Sequence, residues 1–123
     1  MIDILTGGNN SNDSLYGGNG TDTFAFDNYK GGVDTIYDFN ATNEIIQVSH
    51  YSFDRNLPRG SLQKNQFTLG TSATTSEERF IYNGATGALY FDKDGSATGF
   101  SQVQFAQLST GLSLTNNNFV VGS

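Results

Sequence analysis

LYGGNGTDTFAF, residues 15–26, sets Gly17, Gly18 and Gly20 ahead of Asp22, then alternates apolar and polar side chains through Phe24 and Phe26. Glycine accepts left-handed backbone angles at little cost, so the three glycines fit a tight turn whose carbonyls converge. Asp22 adds a carboxylate at the end of that turn. The alternation after it fits a short strand that buries Phe24 and Phe26. Glycine-rich loops also cradle phosphate, but no Gly-Lys-Ser/Thr ending follows here, and an acid stands where phosphate would be repelled. A ring of carbonyl and carboxylate oxygens suits a hard cation such as Ca²⁺.

The stretch is one unit of a repeat. Residues 7–16, GGNNSNDSLY, give the same order of glycine pair, small residues, aspartate, spacer and apolar residue, with one extra residue and no third glycine. Asp3-Ile4-Leu5 matches the tail of an earlier unit, and Gly31-Gly32-Val33-Asp34-Thr35-Ile36 is a shortened later one. Gly, Asn and Asp favour solvated turns on their own. That tendency accounts for the composition but not for the coincidence of glycine pair, aspartate and apolar position.

Residues 17–25 match the glycine–aspartate nonapeptide of the repeats-in-toxin family at every defined position, and later segments resemble that family over most of the rest of the chain. The resemblance implies an all-β fold. Residues 1–39 would form a short parallel β-roll with calcium-binding turns, and residues 40–123 a C-terminal β-rich, hairpin- or sandwich-like part of the same folding unit. Two nonapeptides complete one coil in such a roll, so Asp13 would face Asp34 and Asp3 would face Asp22. The implied ligands are Gly8, Asn10, Asp13, Gly18, Gly20, Asp22 and Asp34. Asp38, in Val33-Asp34-Thr35-Ile36-Tyr37-Asp38-Phe39, is either a further ligand or the cap of a turn before Asn40. Glu44 departs from the Asp-Lys-Ile that relatives often carry and stays outside the ligand set.

Beyond residue 40 the sequence reads as short alternating runs between turn signals. Strands are expected at Glu44–Val48, Arg79–Tyr82, Ala88–Phe91, Ser101–Ala106 and Asn118–Val121, with Ile81, Leu89, Phe91, Val103 and Phe105 in the core. RFIYNGATGALYF predicts a hairpin, with Asn83-Gly84 and Gly87 tolerating positive φ. Residues 51–78 read as a long polar loop with one helical turn. FDKDGSATG, residues 91–99, offers Asp92 and Asp94 ahead of Gly95, like the first half of an EF-hand loop, but the twelfth position is Val103 rather than an acid. It is either a smaller Ca²⁺ loop between strands or an Asp-Gly turn.

Composition narrows the function. The chain has 123 residues, enough for one domain, and a net charge of −6. Its six basic residues are scattered, which argues against a nucleic-acid partner. Cysteine is absent, so disulfides and thiolate metal sites are excluded. No apolar run approaches a transmembrane segment. The single histidine, His50, has no nucleophile elbow beside it, and Glu77-Glu78 next to Arg79 reads as a solvated loop, so no enzyme is expected. In the family such modules end proteins exported by the type I secretion machinery, after an upstream passenger domain, through an uncleaved C-terminal signal. Asn117-Asn118-Phe119-Val120-Val121 resembles that ending, with Asn118 in place of the usual acid. The expected function is a secreted, extracellular calcium-binding module that folds on meeting Ca²⁺. The alternatives are a calcium-stabilised binding module for glycan or a surface polymer, and an ancillary domain of a secreted hydrolase.

Overall fold

The computed structural model describes residues 4–6, 14–16, 18, 20, 22–26, 32–50, 53, 57, 59–96, 99 and 101–122. The first five strands are β1 (Ile4–Thr6), β2 (Ser14–Leu15), β3 (Thr23–Phe26), β4 (Asp34–Ile36) and β5 (Ile45–Ser49). They alternate between two sheets. β1, β3 and β5 are parallel neighbours in one, and β2 and β4 in the other. Parallel neighbours need a crossover between them, and here each crossover is the intervening strand of the opposite sheet. The chain therefore coils. Residues Thr23 to Phe26 lie opposite Ile45 to Val48, so the two-residue strand period stacks Phe24 on Ile46 and Phe26 on Val48 in one inward row. All four are buried, and Leu15 and Ile36 join the same core from the other sheet. Each such side chain contributes about 1.5–3 kcal/mol by leaving water.

The rest of the chain extends both sheets. It runs through β6 (Gly60–Ser61), a 3₁₀ turn at Lys64–Gln66, β7 (Phe67–Leu69), β8 (Phe80–Asn83), β9 (Ala88–Phe91), β10 (Val103–Gln107), a second 3₁₀ turn at Asn116–Asn118, and β11 (Phe119–Gly122). The two sheets have the orders β1-β3-β5-β11-β6 and β2-β4-β10-β9-β8-β7. β11 lies parallel to β5, and β10 lies parallel to β4 while turning antiparallel to β9. The fold is all-β. Phe53, Phe80, Phe91, Phe105 and Phe119 interlock between the sheets, with Phe80 central at 5.2 Å from Phe91 and 5.3 Å from Phe119 between ring centres.

The expected strands form, with limits one or two residues later than the sequence placed them except at Ala88–Phe91. Ile81, Leu89, Phe91 and Phe105 are buried as expected, whereas Val103 is only half-buried. The hairpin corner differs from the Asn-Gly reading. Asn83 ends β8 opposite Ala88, and its carbonyl accepts the N–H groups of Thr86 (3.2 Å) and Gly87 (2.7 Å). Of the corner residues it is Gly87, at φ 82°, that takes the left-handed conformation. The supposed loop over 51–78 contains β6, a 3₁₀ turn and β7. Phe67-Thr68-Leu69 is too short for its alternation to register.

Candidate functional site

The topology sorts the candidate ligands into three places. Residues 16–22 and 37–44 both carry the chain from the even-numbered strands to the odd-numbered ones, so these turns share one flank of the coil. That flank holds Gly18, Gly20, Asp22 and Asp38. The opposite flank precedes the even-numbered strands and holds Asp34, at the head of β4 and buried. Gly8, Asn10, Asp13 and Asp3 lie outside the described residues, so the expected facing of Asp13 with Asp34, and of Asp3 with Asp22, falls there too. Asp92 and Asp94 stand apart in the loop after β9.

On the first flank, Gly18 and Gly20 have φ of 75° and 96°, the left-handed region expected of the glycine turn. Asp38 is exposed, and its Oδ2 accepts the Gly18 N–H at 2.8 Å. It therefore links its own turn to the preceding one rather than only capping the residues before Asn40. Asp22 is fully buried at the start of β3. Beside it, at the same step of β5, is Glu44, 2% exposed. The Ile45 N–H donates to the Asp22 carbonyl at 3.2 Å, which fixes the two backbones side by side. Their carboxyl groups are within hydrogen-bonding reach of each other.

Glu44 is the residue that sequence reasoning left out. A usable signal was present: Asp3, Asp22 and Glu44 each stand immediately before an apolar strand, as in Asp3-Ile4-Leu5, Asp22-Thr23-Phe24 and Glu44-Ile45-Ile46. Burial raises the Glu44 carboxyl above the usual glutamate range. Its hydrogen bond with Asp22 and the negative charges of Asp22 and Asp38 push the same way, against the Asn40 N–H that donates to Oε1 at 2.8 Å. Asn118 closes the back of the site. It is buried, its Nδ2 donates to the carbonyls of Ala41 (2.8 Å) and Glu44 (3.0 Å), and its Oδ1 accepts the Thr115 N–H at 3.0 Å. An aspartate could not make the two donations, which gives a physical reason for the amide at this position.

In the second acidic loop, Asp92 is 7% exposed and Asp94 half-buried. The Asp94 N–H donates to Asp92 Oδ1 at 3.3 Å, and the Gly95 N–H to the Asp92 carbonyl at 3.4 Å, so the segment is an aspartate-led turn. Gly95, at φ 64°, lies against the 75–76 backbone, where a Cβ would stand 2.5 Å from the Thr75 carbonyl oxygen. Burial and the neighbouring Asp94 carboxyl raise Asp92, partly offset by the Asp94 N–H and by the positive charge of Arg79. This loop thus already brings a cation toward its carboxylates, unlike the first flank.

His50 Nδ1 lies 3.1 Å from the Leu57 carbonyl oxygen. Among the described residues, no group of three or more Asp, Glu or His side chains has metal-binding geometry, and no helix is long and apolar enough to cross a membrane. The aromatic side chains left exposed are Tyr16 and Tyr37, stacked at 4.8 Å between ring centres, while Tyr90 is half-buried. No family model matches the chain, and no curated protein matches it closely enough to count as a relative.

Proposed function

We propose that the chain is a calcium-binding module of the repeats-in-toxin kind, a short β-roll that closes when it meets extracellular Ca²⁺. The observation that carries this reading is the pair of buried carboxyl groups, Asp22 and Glu44, side by side at the head of adjacent parallel strands. Two carboxylates held together away from water cannot both be ionised without a compensating charge. Carboxylate and backbone carbonyl oxygens are the donor type that a hard cation such as Ca²⁺ takes. Asp22 and Asp38, with Glu44 added to the expected set, would supply carboxylate oxygens on the first flank, and the Gly18–Gly20 turn would supply backbone carbonyls. Asp34 would serve the other flank, and Asp92 with Asp94 the separate loop.

Bound Ca²⁺ would add positive charge among these acids. The chain contributes position: parallel register aligns successive acids, left-handed glycines turn the backbone, and Asn118 holds the 41–44 turn to the C-terminal segment. With free ion about tenfold above Kd, each site adds about 1.4 kcal/mol to folding, so two or three sites decide the state of a marginal domain. Low cytosolic Ca²⁺ would leave the acidic chain loose for type I export, and the extracellular ion would complete it. The C-terminal segment would carry the uncleaved export signal.

A calcium titration followed by circular dichroism and thermal melting tests this. The melting temperature should rise with Ca²⁺ and fall with chelator, and Mg²⁺ at equal concentration should act far more weakly. An unchanged spectrum and melting curve in chelator would refute it.

A further inference from the structure

The two sheets end differently at the side away from β1 and β2. Sheet order leaves β7 as the last strand of the six-stranded sheet, paired with β8 alone. At its two ends the Gln66 carbonyl accepts the Arg79 N–H (2.9 Å), and the Gly70 N–H donates to the Tyr82 carbonyl (3.0 Å). Backbone direction alternates along a strand, so the N–H and C=O groups of Phe67 and Leu69 between them point to the side where no strand pairs. Of the devices that blunt edge strands, Phe67-Thr68-Leu69 carries no charge, proline or bulge and relies on its three-residue length alone. Leu69 is 60% exposed and is the one exposed large aliphatic side chain among the described residues. A cleft of about 300 Å³ lies beside the strand, lined mainly by Phe67, Leu69 and Leu114, with Asn116 and Lys64. Among the described lining residues Lys64 alone is charged, in a chain whose net charge is −6.

We propose that this edge and cleft bind an extended peptide segment, which adds to β7 as a further strand. The bound segment seats one bulky aliphatic side chain against Phe67, Leu69 and Leu114 and sets a carboxylate near Lys64. The outward backbone groups select a peptide over a lipid, because strand addition draws affinity from main-chain hydrogen bonds and specificity from side-chain pockets. The positive charge at the cleft selects an acidic flank.

The probe is a fluorescein-labelled hexapeptide of alternating leucine and threonine ending in glutamate, titrated by anisotropy against the full chain in calcium buffer. Saturable binding is expected, weakened about fivefold or more when lysine replaces the glutamate, and lost when the peptide backbone is N-methylated. Lys64→Glu should invert the charge preference, and Leu69→Thr should weaken binding of both peptides. Both residues are exposed, so both variants should keep the parental spectrum and melting temperature. Four results would overturn the proposal: no saturation up to about 1 mM peptide, equal binding of the N-methylated peptide, binding of decanoate but not of peptide, or a Leu69-dependent dimer in ultracentrifugation that leaves the probe unbound.

Discussion

Glu44→Gln gives the sharpest test of the buried carboxyl pair, because its effect should be larger in chelator than in calcium. Glutamine keeps the shape and an oxygen for the Asn40 N–H that Glu44 Oε1 accepts at 2.8 Å. What it removes is an acid buried against Asp22 and facing the charge of Asp38. Two unit charges about 4 Å apart repel by about 4 kcal/mol at an effective dielectric of about 20. A proton retained by Glu44, whose carboxyl is raised, relieves part of that, which leaves a gain of about 1–3 kcal/mol for the variant in chelator. For a domain of this length, 1 kcal/mol moves the melting temperature by about 4 °C, so Glu44→Gln should melt about 4–12 °C higher than the parent in EGTA. In calcium that advantage should shrink by up to about 1.4 kcal/mol, since the ion loses a charged ligand and affinity should fall about tenfold. Calorimetric titration and melting in both buffers read the two halves. A variant less stable in EGTA would mean that the pair is a favourable hydrogen bond, and unchanged calcium affinity would remove Glu44 from the ion's surroundings.

The remaining predictions concern stability. Phe80→Ala empties the centre of the aromatic cluster and should cost about 3–5 kcal/mol by urea denaturation in calcium. Asn118→Asp keeps the acceptor for Thr115 but loses both donations to the 41–44 turn, and should cost about 2–3 kcal/mol by the same assay. Without calcium, the raised Glu44 and Asp92 carboxyls bind protons more tightly in the folded chain than in the unfolded one. Stability in chelator should therefore rise as pH is lowered from 7 toward the ordinary carboxylate range, and fall as pH rises through the raised values. A melting temperature that drops steadily over that descent would contradict the assignment.

Local features were the legible ones. The glycine turn before Asp22, the buried row of Phe24 and Phe26, and the hairpin between Phe80 and Phe91 all follow from residues within a few positions of each other. Of the hairpin's expected corner residues Gly87 takes the left-handed conformation and Asn83-Gly84 does not, because the loop used is longer than the two-residue Asn-Gly turn. Non-local pairings were not legible. Nothing in Asn116-Asn117-Asn118-Phe119 states that β11 lies parallel to β5, and three residues of β7 cannot show a period. At the candidate site, Asp22 and the glycines could be read directly, while Glu44 needed the register. Only when Thr23 is set opposite Ile45 do the preceding acids become neighbours.

The position of β11 has a consequence for the order of events during synthesis. Its four residues lie between β5 and β6, with Phe119 opposite Ile46 and Val121 opposite Gly60. The five-stranded sheet therefore contains a gap until residues 119–122 are available. A chain held short of them on a ribosome leaves the pairing edges of β5 and β6 open. Contacts so distant in sequence also form slowly. Completion is thus timed by the arrival of β11: topology supplies a delay, after which a single segment closes the sheet.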